Sequence, residues 1–255
     1  MSMPSMWLTA DRTLNIAHQG ASGVAPANTI VAFRRAAELG ADGVELDAHL
    51  SADTVPVVIH DFTVDRTTDG SGRVADLPLA ALKELDAGSS FNPAFAGERI
   101  PTLEEVFEAV GHQLLINVEL KVPPRENRGL EAAVVALVEQ HGLSDRVLIS
   151  SFNPYALRRV RRLHPQLPLG FLYGSDPLSR LARALMWLMR DLRPEAAHPF
   201  WTLIRPATVR RAHAQGRRMV AWTVDEPDVM RLLVEWGVDA IISNRPDRLR
   251  HVLER

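Results

Sequence analysis

Short continuous apolar runs alternate along this chain with longer stretches in which apolar residues recur every three to four positions. The runs at 14–17, 43–50, 114–120, 146–150, 169–172, 218–222 and 240–243, and a weaker one at 196–198, read as strands buried on both faces. Between them the helical period predicts helices at 29–39, 103–110, 129–141, 154–163, 206–215, 227–236 and 246–253. Those at 154, 206, 227 and 246 begin on proline, whose missing N–H has no partner in a first helical turn anyway. Eight strands alternating with helices in 255 residues predict one (β/α)8 TIM barrel spanning 1–255, with an open doubly wound sheet as the rival. Residues 51–101 break the rhythm: a strand-like VPVVIH is followed by the turn-rich stretches DRTTDGSGRV and AGSSFNPAFAGERIP. We expect an insertion after the second barrel strand, lying over the strands' carboxyl ends, where barrel active sites are built.

Charged residues interrupt the apolar runs at a few positions. Glu45 and Asp47 are two apart in GADGVELDAHL and share a strand face, as do Glu119 and Lys121 in LLINVELKV. A strand buried on both faces should avoid carboxylates, because an unpaired buried charge is costly. One alone would be read as half of an ion pair with arginine. Two on one face, with Glu119 on another strand, favour a divalent cation, and all-oxygen ligation suits Mg2+, Ca2+ or Mn2+ better than zinc. His18 in NIAHQG and His60 in VPVVIHD also end apolar runs, and imidazoles there can accept or donate a proton near neutrality. A single such histidine is usually structural; two beside a carboxylate site point to acid–base chemistry. His49 and His198 are placed where they can line the pocket, and the other histidines take structural roles. Lys121 either neutralises phosphate charge or only pairs with Glu119 or Glu45. Trp222 either walls the pocket or fills the core. Together these are the parts of a metal-assisted phosphoryl-transfer site.

Composition narrows the picture. The chain has no cysteine, which excludes a disulfide scaffold, a zinc–thiolate site and a cysteine nucleophile. A net charge of -2 gives no general attraction to nucleic acid, and no nucleic-acid partner is expected. The first fifteen residues lack a basic segment followed by an apolar one, and no apolar run is long enough to span a bilayer, so a cytoplasmic protein is expected. Residues 177–192, PLSRLARALMWLMRDL, form an apolar helix punctuated by arginine. A barrel helix packing its Leu and Met face on the core is favoured; otherwise this helix makes peripheral contact with a membrane or acyl chains.

The chain closely resembles the glycerophosphodiester phosphodiesterase family over nearly its whole length. The resemblance is carried by His18-Gln19-Gly20, Pro26-Ala27-Asn28-Thr29, the run Ala41 to Asp47, Val57 to Asp61, Arg66 to Gly70, Ile100 to Glu105, Glu119-Leu120-Lys121, Ser150-Ser151-Phe152 and Ala221 to Val224. It implies a TIM barrel with an insertion after the second strand. It also implies that Glu45, Asp47 and Glu119 ligate one divalent cation, that His18 and His60 are the general acid and base, and that Lys121 contacts phosphate, with Gln19 and Trp222 beside the substrate. The implied reaction cleaves a small-molecule glycerophosphodiester to glycerol 3-phosphate and an alcohol, with the neighbouring glycerol hydroxyl as internal nucleophile and a cyclic phosphate that water opens. Two positions depart from the family's pattern: Gln19 stands where His-Arg-Gly is usual, and Ala27 where Pro-Glu-Asn-Thr is usual. If that Arg and Glu pair with each other, losing both together avoids leaving one charge buried alone. The rival readings are a lysophospholipase D-like enzyme for a larger lipid and a non-catalytic glycerophosphate-binding protein; the second rests only on Gln19 and Ala27.

Overall fold

The computed structural model describes residues 5–123, 128–189 and 191–254. In chain order the strands are β1 (Leu14–His18), β2 (Gly43–Leu50), β3 (Pro56–Val58), β4 (Leu115–Leu120), β5 (Val147–Ser151), β6 (Leu169–Tyr173), β7 (Ala196–Pro199), β8 (Arg218–Ala221) and β9 (Ala240–Ser243). All except β3 are parallel to their neighbours, and β1 pairs with both β2 and β9. That second pairing closes the sheet, so the fold is a (β/α)8 barrel and not an open doubly wound sheet. The helices between strands are α2 (Ile30–Glu38), α4 (Leu103–Val110), α5 (Leu130–Gln140), α6 (Pro154–Leu163), α7 (Pro177–Leu188), α8 (Pro206–Ala214) and α9 (Pro227–Glu235), with α10 (Pro246–Leu253) last.

Local chemistry explains where helices start. The Thr29 side chain accepts the Ala32 amide at the head of α2, and Thr102 and Glu105 form a reciprocal capping box on α4. Asn153 and Asp176 cap α6 and α7, each followed by proline. On β2, Val44, Leu46 and Ala48 join the core beneath the helices, which leaves Glu45, Asp47 and His49 to the barrel interior.

Two short α-helices were not expected from sequence, whereas the strand-like run at 55–60 was. The short α1 (Met6–Thr9) places Trp7 in the cluster formed by Leu14, Ile16, Leu115, Leu148, Val220 and Ile242, closing the barrel's amino-terminal end. The Trp7 indole donates to the Arg146 carbonyl at 2.8 Å. Within residues 51–101, β3 runs antiparallel to β2 with Ala48 opposite Val58, and α3 (Leu79–Glu84) follows. This insertion has its own small core of Val57, Ile59, Val64, Val74, Leu82, Ala87 and Ile100.

The expected helix at 177–192 is described over Pro177–Leu188, and Arg190 lies outside the described residues. Ala182, Met186 and Met189 pack on the core as expected, but Leu178 is 77% exposed and Leu181 59%. These two leucines therefore face solvent. No helix among the described residues is long and apolar enough to cross a membrane.

One interior residue has a consequence for stability. His198 is fully buried, and neither ring nitrogen has a partner among the described residues. Its ring occupies the space that a side chain at Gly170 would need: a β-carbon there would lie 2.4 Å from Nε2. Burial pushes the His198 pKa down to about 3. In the unfolded chain a histidine titrates near 6.5, so between roughly pH 6.5 and 3 only the unfolded state takes up the proton. Above that window the residue contributes nothing to the pH dependence; below its upper edge stability falls by about 1.4 kcal/mol per pH unit. His198→Leu should flatten this loss, gaining about 2 kcal/mol relative to wild type at pH 5 compared with pH 8. Urea unfolding at the two pH values tests it; an equal difference at both would rule out titration of this ring.

Candidate active site

β2 and β4 are adjacent and parallel, with Asp47 opposite Glu119, and β1 places His18 opposite Glu45. Strand register alone thus brings three carboxylates and an imidazole to the barrel mouth. Glu45, Asp47 and Glu119 are all buried, and each offers an oxygen within 4.8 Å of the others'. Lys121 Nζ lies 2.7 Å from Glu119 Oε1 and 3.0 Å from Asp47 Oδ1, the latter an ion pair rather than an aligned hydrogen bond. Lys121 thus pairs with Glu119, as the simpler sequence reading had it, and with Asp47 rather than Glu45.

The charges are unevenly compensated. Burial, with repulsion from Asp47 and Glu119, pushes the Glu45 carboxyl well above the usual range. Burial also raises Glu119, against the opposing pull of Lys121. Burial opposes ionisation of Asp47 too, but Lys121, His60 and the Asn28 amide outweigh it and hold that carboxyl low. Burial works against the Lys121 ammonium, yet Asp47 and Glu119 raise it above its usual value. One lysine cannot neutralise three carboxylates. The all-oxygen donor set and its surplus negative charge fit a hard divalent cation.

Two amides brace Asp47. Gln19 Nε2 donates to Asp47 Oδ2 at 2.7 Å, and Asn28 Nδ2 donates to the same oxygen at 2.8 Å. Both residues have left-handed backbones, with φ 54° at Gln19 and 60° at Asn28. Such strain in non-glycine residues persists only where surrounding contacts enforce it. Gln19, expected beside the substrate, gives its side-chain amide to a carboxylate, while its backbone N–H donates to Glu45 Oε2 at 3.2 Å. The Asn28 backbone N–H donates to the Gln19 carbonyl at 2.9 Å, so the β1–α2 loop that carries both Gln19 and Ala27 is tied to itself. Gln19→Arg alone should lower kcat/KM, because it disturbs the contact to Asp47. Gln19→Arg with Ala27→Glu should exceed the sum of the single changes by about 0.5–3 kcal/mol of coupling. Additivity within error in a double-mutant cycle would show the two positions to be unrelated.

The two histidines are held differently. His60 arrives on the insertion. Its Nδ1 lies 2.6 Å from Asp61 Oδ1, and Arg66 grips Asp61 through Nε at 2.5 Å and its terminal nitrogen at 3.0 Å. The Arg66 contact holds the Asp61 carboxyl far below the usual range. His49 donates Nε2–H to the His60 carbonyl at 3.2 Å and stands edge-on to Phe62, so it fastens the insertion to the barrel. Burial lowers its pKa to about 4, which keeps it neutral in that contact. His18 Nε2 lies 3.9 Å from Glu45 Oε2, and His18 Nδ1 lies 2.7 Å from Asn244 Oδ1. Burial lowers the His18 pKa, with the Asn244 hydrogen bond opposing.

Trp222 follows β8. Its indole donates to the His198 carbonyl at 2.7 Å, and its ring meets Phe152 and Phe200 edge-on at 5.5 and 5.3 Å. The three rings form an aromatic patch at the ends of the later strands. His198 itself lies within the barrel and contributes only a backbone carbonyl here. Sequence reasoning missed Asn28, Asn244, Asp225, Asp61 and Arg66 as site residues. The Asp61 and Arg66 contacts were detectable in principle from their closeness to His60; Asn244 and Asp225 gave no signal before the barrel closed.

The closed (β/α)8 barrel carries an oxygen-donor cluster, two imidazoles and a buried lysine at its mouth. Residues 18–248 match the model of the glycerophosphoryl diester phosphodiesterase family, and the chain belongs to that family. It is 44% identical over 247 residues to a glycerophosphodiester phosphodiesterase of Caldanaerobacter subterraneus subsp. tengcongensis, covering 96% of this chain and 99% of that one. A glycerophosphodiester phosphodiesterase of Bacillus subtilis is 33% identical, with 96% of this chain and 88% of that one covered. Among solved structures, an Oleispira antarctica phosphodiesterase in complex with the product sn-glycerol-3-phosphate superposes with a TM-score of 0.83 at 33% identity, over 94% of this chain and 96% of that one.

Proposed function

We propose that the protein hydrolyses glycerophosphodiesters to glycerol 3-phosphate and an alcohol, with a divalent cation held by Glu45, Asp47 and Glu119 and with His18 and His60 moving the protons. The observation that carries this reading is the convergence of three buried carboxylates within 4.8 Å, with an imidazole 3.9 Å from one of them. The glycerophosphate product bound to the Oleispira antarctica phosphodiesterase supports the substrate class. When bound, the cation would supply positive charge to the phosphate oxygens as the phosphorus is attacked.

The residues of this chain do the rest. The glycerol hydroxyl next to the phosphate attacks phosphorus; one imidazole takes its proton while the other protonates the departing alkoxide, leaving a cyclic phosphate. Water then opens the ring with the two imidazoles in exchanged roles. Lys121 orders the carboxylates through its pairs with Asp47 and Glu119 and offers its remaining N–H toward the phosphate. The aromatic patch of Phe152, Phe200 and Trp222 offers an apolar surface to the substrate.

A second reading, a lysophospholipase D-like enzyme meeting lipid surfaces peripherally through α7, is favoured by the exposure of Leu178 and Leu181. Turnover of glycerophosphocholine, glycerophosphoethanolamine and lysophosphatidylcholine, each with and without EDTA, separates the readings. Hydrolysis of the first two, abolished by EDTA, supports the main one; exclusive hydrolysis of lysophosphatidylcholine replaces it with the second; no turnover of any sinks both.

A further inference from the structure

The end of β9 and the loop after β8 meet at His18 in a hydrogen-bond network with no freedom of direction. Asp225 is a carboxylate and can only accept. Its Oδ2 takes the Asn244 side-chain N–H at 2.6 Å, and its Oδ1 takes the Asn244 backbone N–H at 2.8 Å and the Ser243 hydroxyl at 2.9 Å. The Asn244 amide is therefore oriented: its nitrogen must face Asp225, and its Oδ1 must face His18. The reverse orientation would set one acceptor against another. Asn244 Oδ1 can only accept, so His18 Nδ1, at 2.7 Å, carries the hydrogen. In the neutral ring the lone pair is then on Nε2, the nitrogen that faces Glu45.

The surrounding backbone holds the arrangement. Ser22 Oγ lies 2.7 Å from both the His18 carbonyl and Asn244 Oδ1. The Gly23 amide donates to the Asn244 carbonyl at 2.9 Å, an approach only glycine permits, since a β-carbon at 23 would fall 2.7 Å from that oxygen.

We propose that Asp225 and Asn244 are positioning residues that lock His18 in its Nδ1–H tautomer and thereby make it the group that takes the proton from the attacking hydroxyl. His60, backed by a carboxylate that Arg66 keeps ionised, is the partner suited to giving a proton to the leaving group. The relay rests on the proposed reaction only for its catalytic consequence; the tautomer itself follows from the hydrogen bonds.

Nitrogen NMR of the Mg2+-loaded, full-length protein with 15N-labelled histidine reads the tautomer directly, with His18→Ala identifying the His18 signals. Wild type should show a protonated Nδ1 and an unprotonated Nε2. Asn244→Leu removes the acceptor, and Asp225→Asn removes the carboxylate that sets its direction; each should give the Nε2–H form or a mixture. Each should lower kcat on glycerophosphocholine roughly 10–100-fold, the usual scale for a residue that orients a catalytic ligand, with KM changed little. If Asn244→Leu does not fold, Asp225→Asn, which is isosteric, carries the test. An Nε2–H ring in wild type overturns the proposal, as does an unaltered tautomer or unaltered kcat in the variants. A wild type that shows the expected tautomer but no phosphodiesterase turnover would overturn the proposed reaction and with it the relay's catalytic role.

Discussion

EDTA is expected to abolish turnover and to lower the melting temperature by about 5–10 °C, both restored by Mg2+, Ca2+ or Mn2+. The thermal shift follows from mass action: a ligand at 100 times its Kd stabilises the native state by about 2.7 kcal/mol, and a domain of this size moves about 2–4 °C per kcal/mol. The site explains why the effect should be so large. Three buried carboxylates face one lysine, and burial with mutual repulsion already pushes Glu45 and Glu119 toward their protonated forms. A cation must displace those protons, so its affinity should weaken as the pH falls. Calorimetry in buffers of different ionisation enthalpy measures the release. Binding without proton release, or full activity after complete metal removal, would refute the metal role of Glu45, Asp47 and Glu119. Glu119→Gln should weaken the cation and free Lys121 to pair with Asp47 alone.

The second large effect concerns the imidazoles. His18→Ala and His60→Ala should each lower kcat by roughly 10²–10⁴-fold, the range associated with general acid–base groups. Neither should unfold the protein. His60 sits at the barrel mouth on an insertion with its own core, and His18 ends β1 above a floor of Leu14 and Ile16. Metal affinity should survive both changes, which calorimetry can verify. A variant with near-normal kcat and retained metal would exclude that histidine from proton transfer.

The barrel was legible in the sequence because parallel strands are buried on both faces. Charge inside such a run is conspicuous, and Glu45, Asp47, Glu119 and Lys121 announced themselves that way. The strand-end histidines were legible for the same reason. What remained hidden depended on contacts between distant segments. Gln19 was conspicuous as a departure, but nothing local indicates that its amide is given to Asp47. Asn244 stands two residues before the proline that starts α10, and only the β1–β9 pairing brings it to His18. Trp7 sits in a segment of ordinary composition, and its role as a floor requires the closed ring around it. Leu178 and Leu181 of α7 fit a core-facing helical stripe equally well; only packing against β6 and α6 decides which side is covered.

The pairing of the first barrel strand with the last has a consequence for how the molecule comes into being. His18 and its hydrogen-bond partner Asn244 stand 226 positions apart in the sequence. Thr13 is likewise bonded to the Val238 carbonyl, 225 positions away. Contacts this distant in sequence form late, because the intervening chain must first be ordered. A growing or prematurely ended chain can therefore assemble β2, β4 and their carboxylates while lacking an oriented His18. The orientation of His18 therefore arrives only with the pairing of β1 and β9, after the strands between them have been ordered.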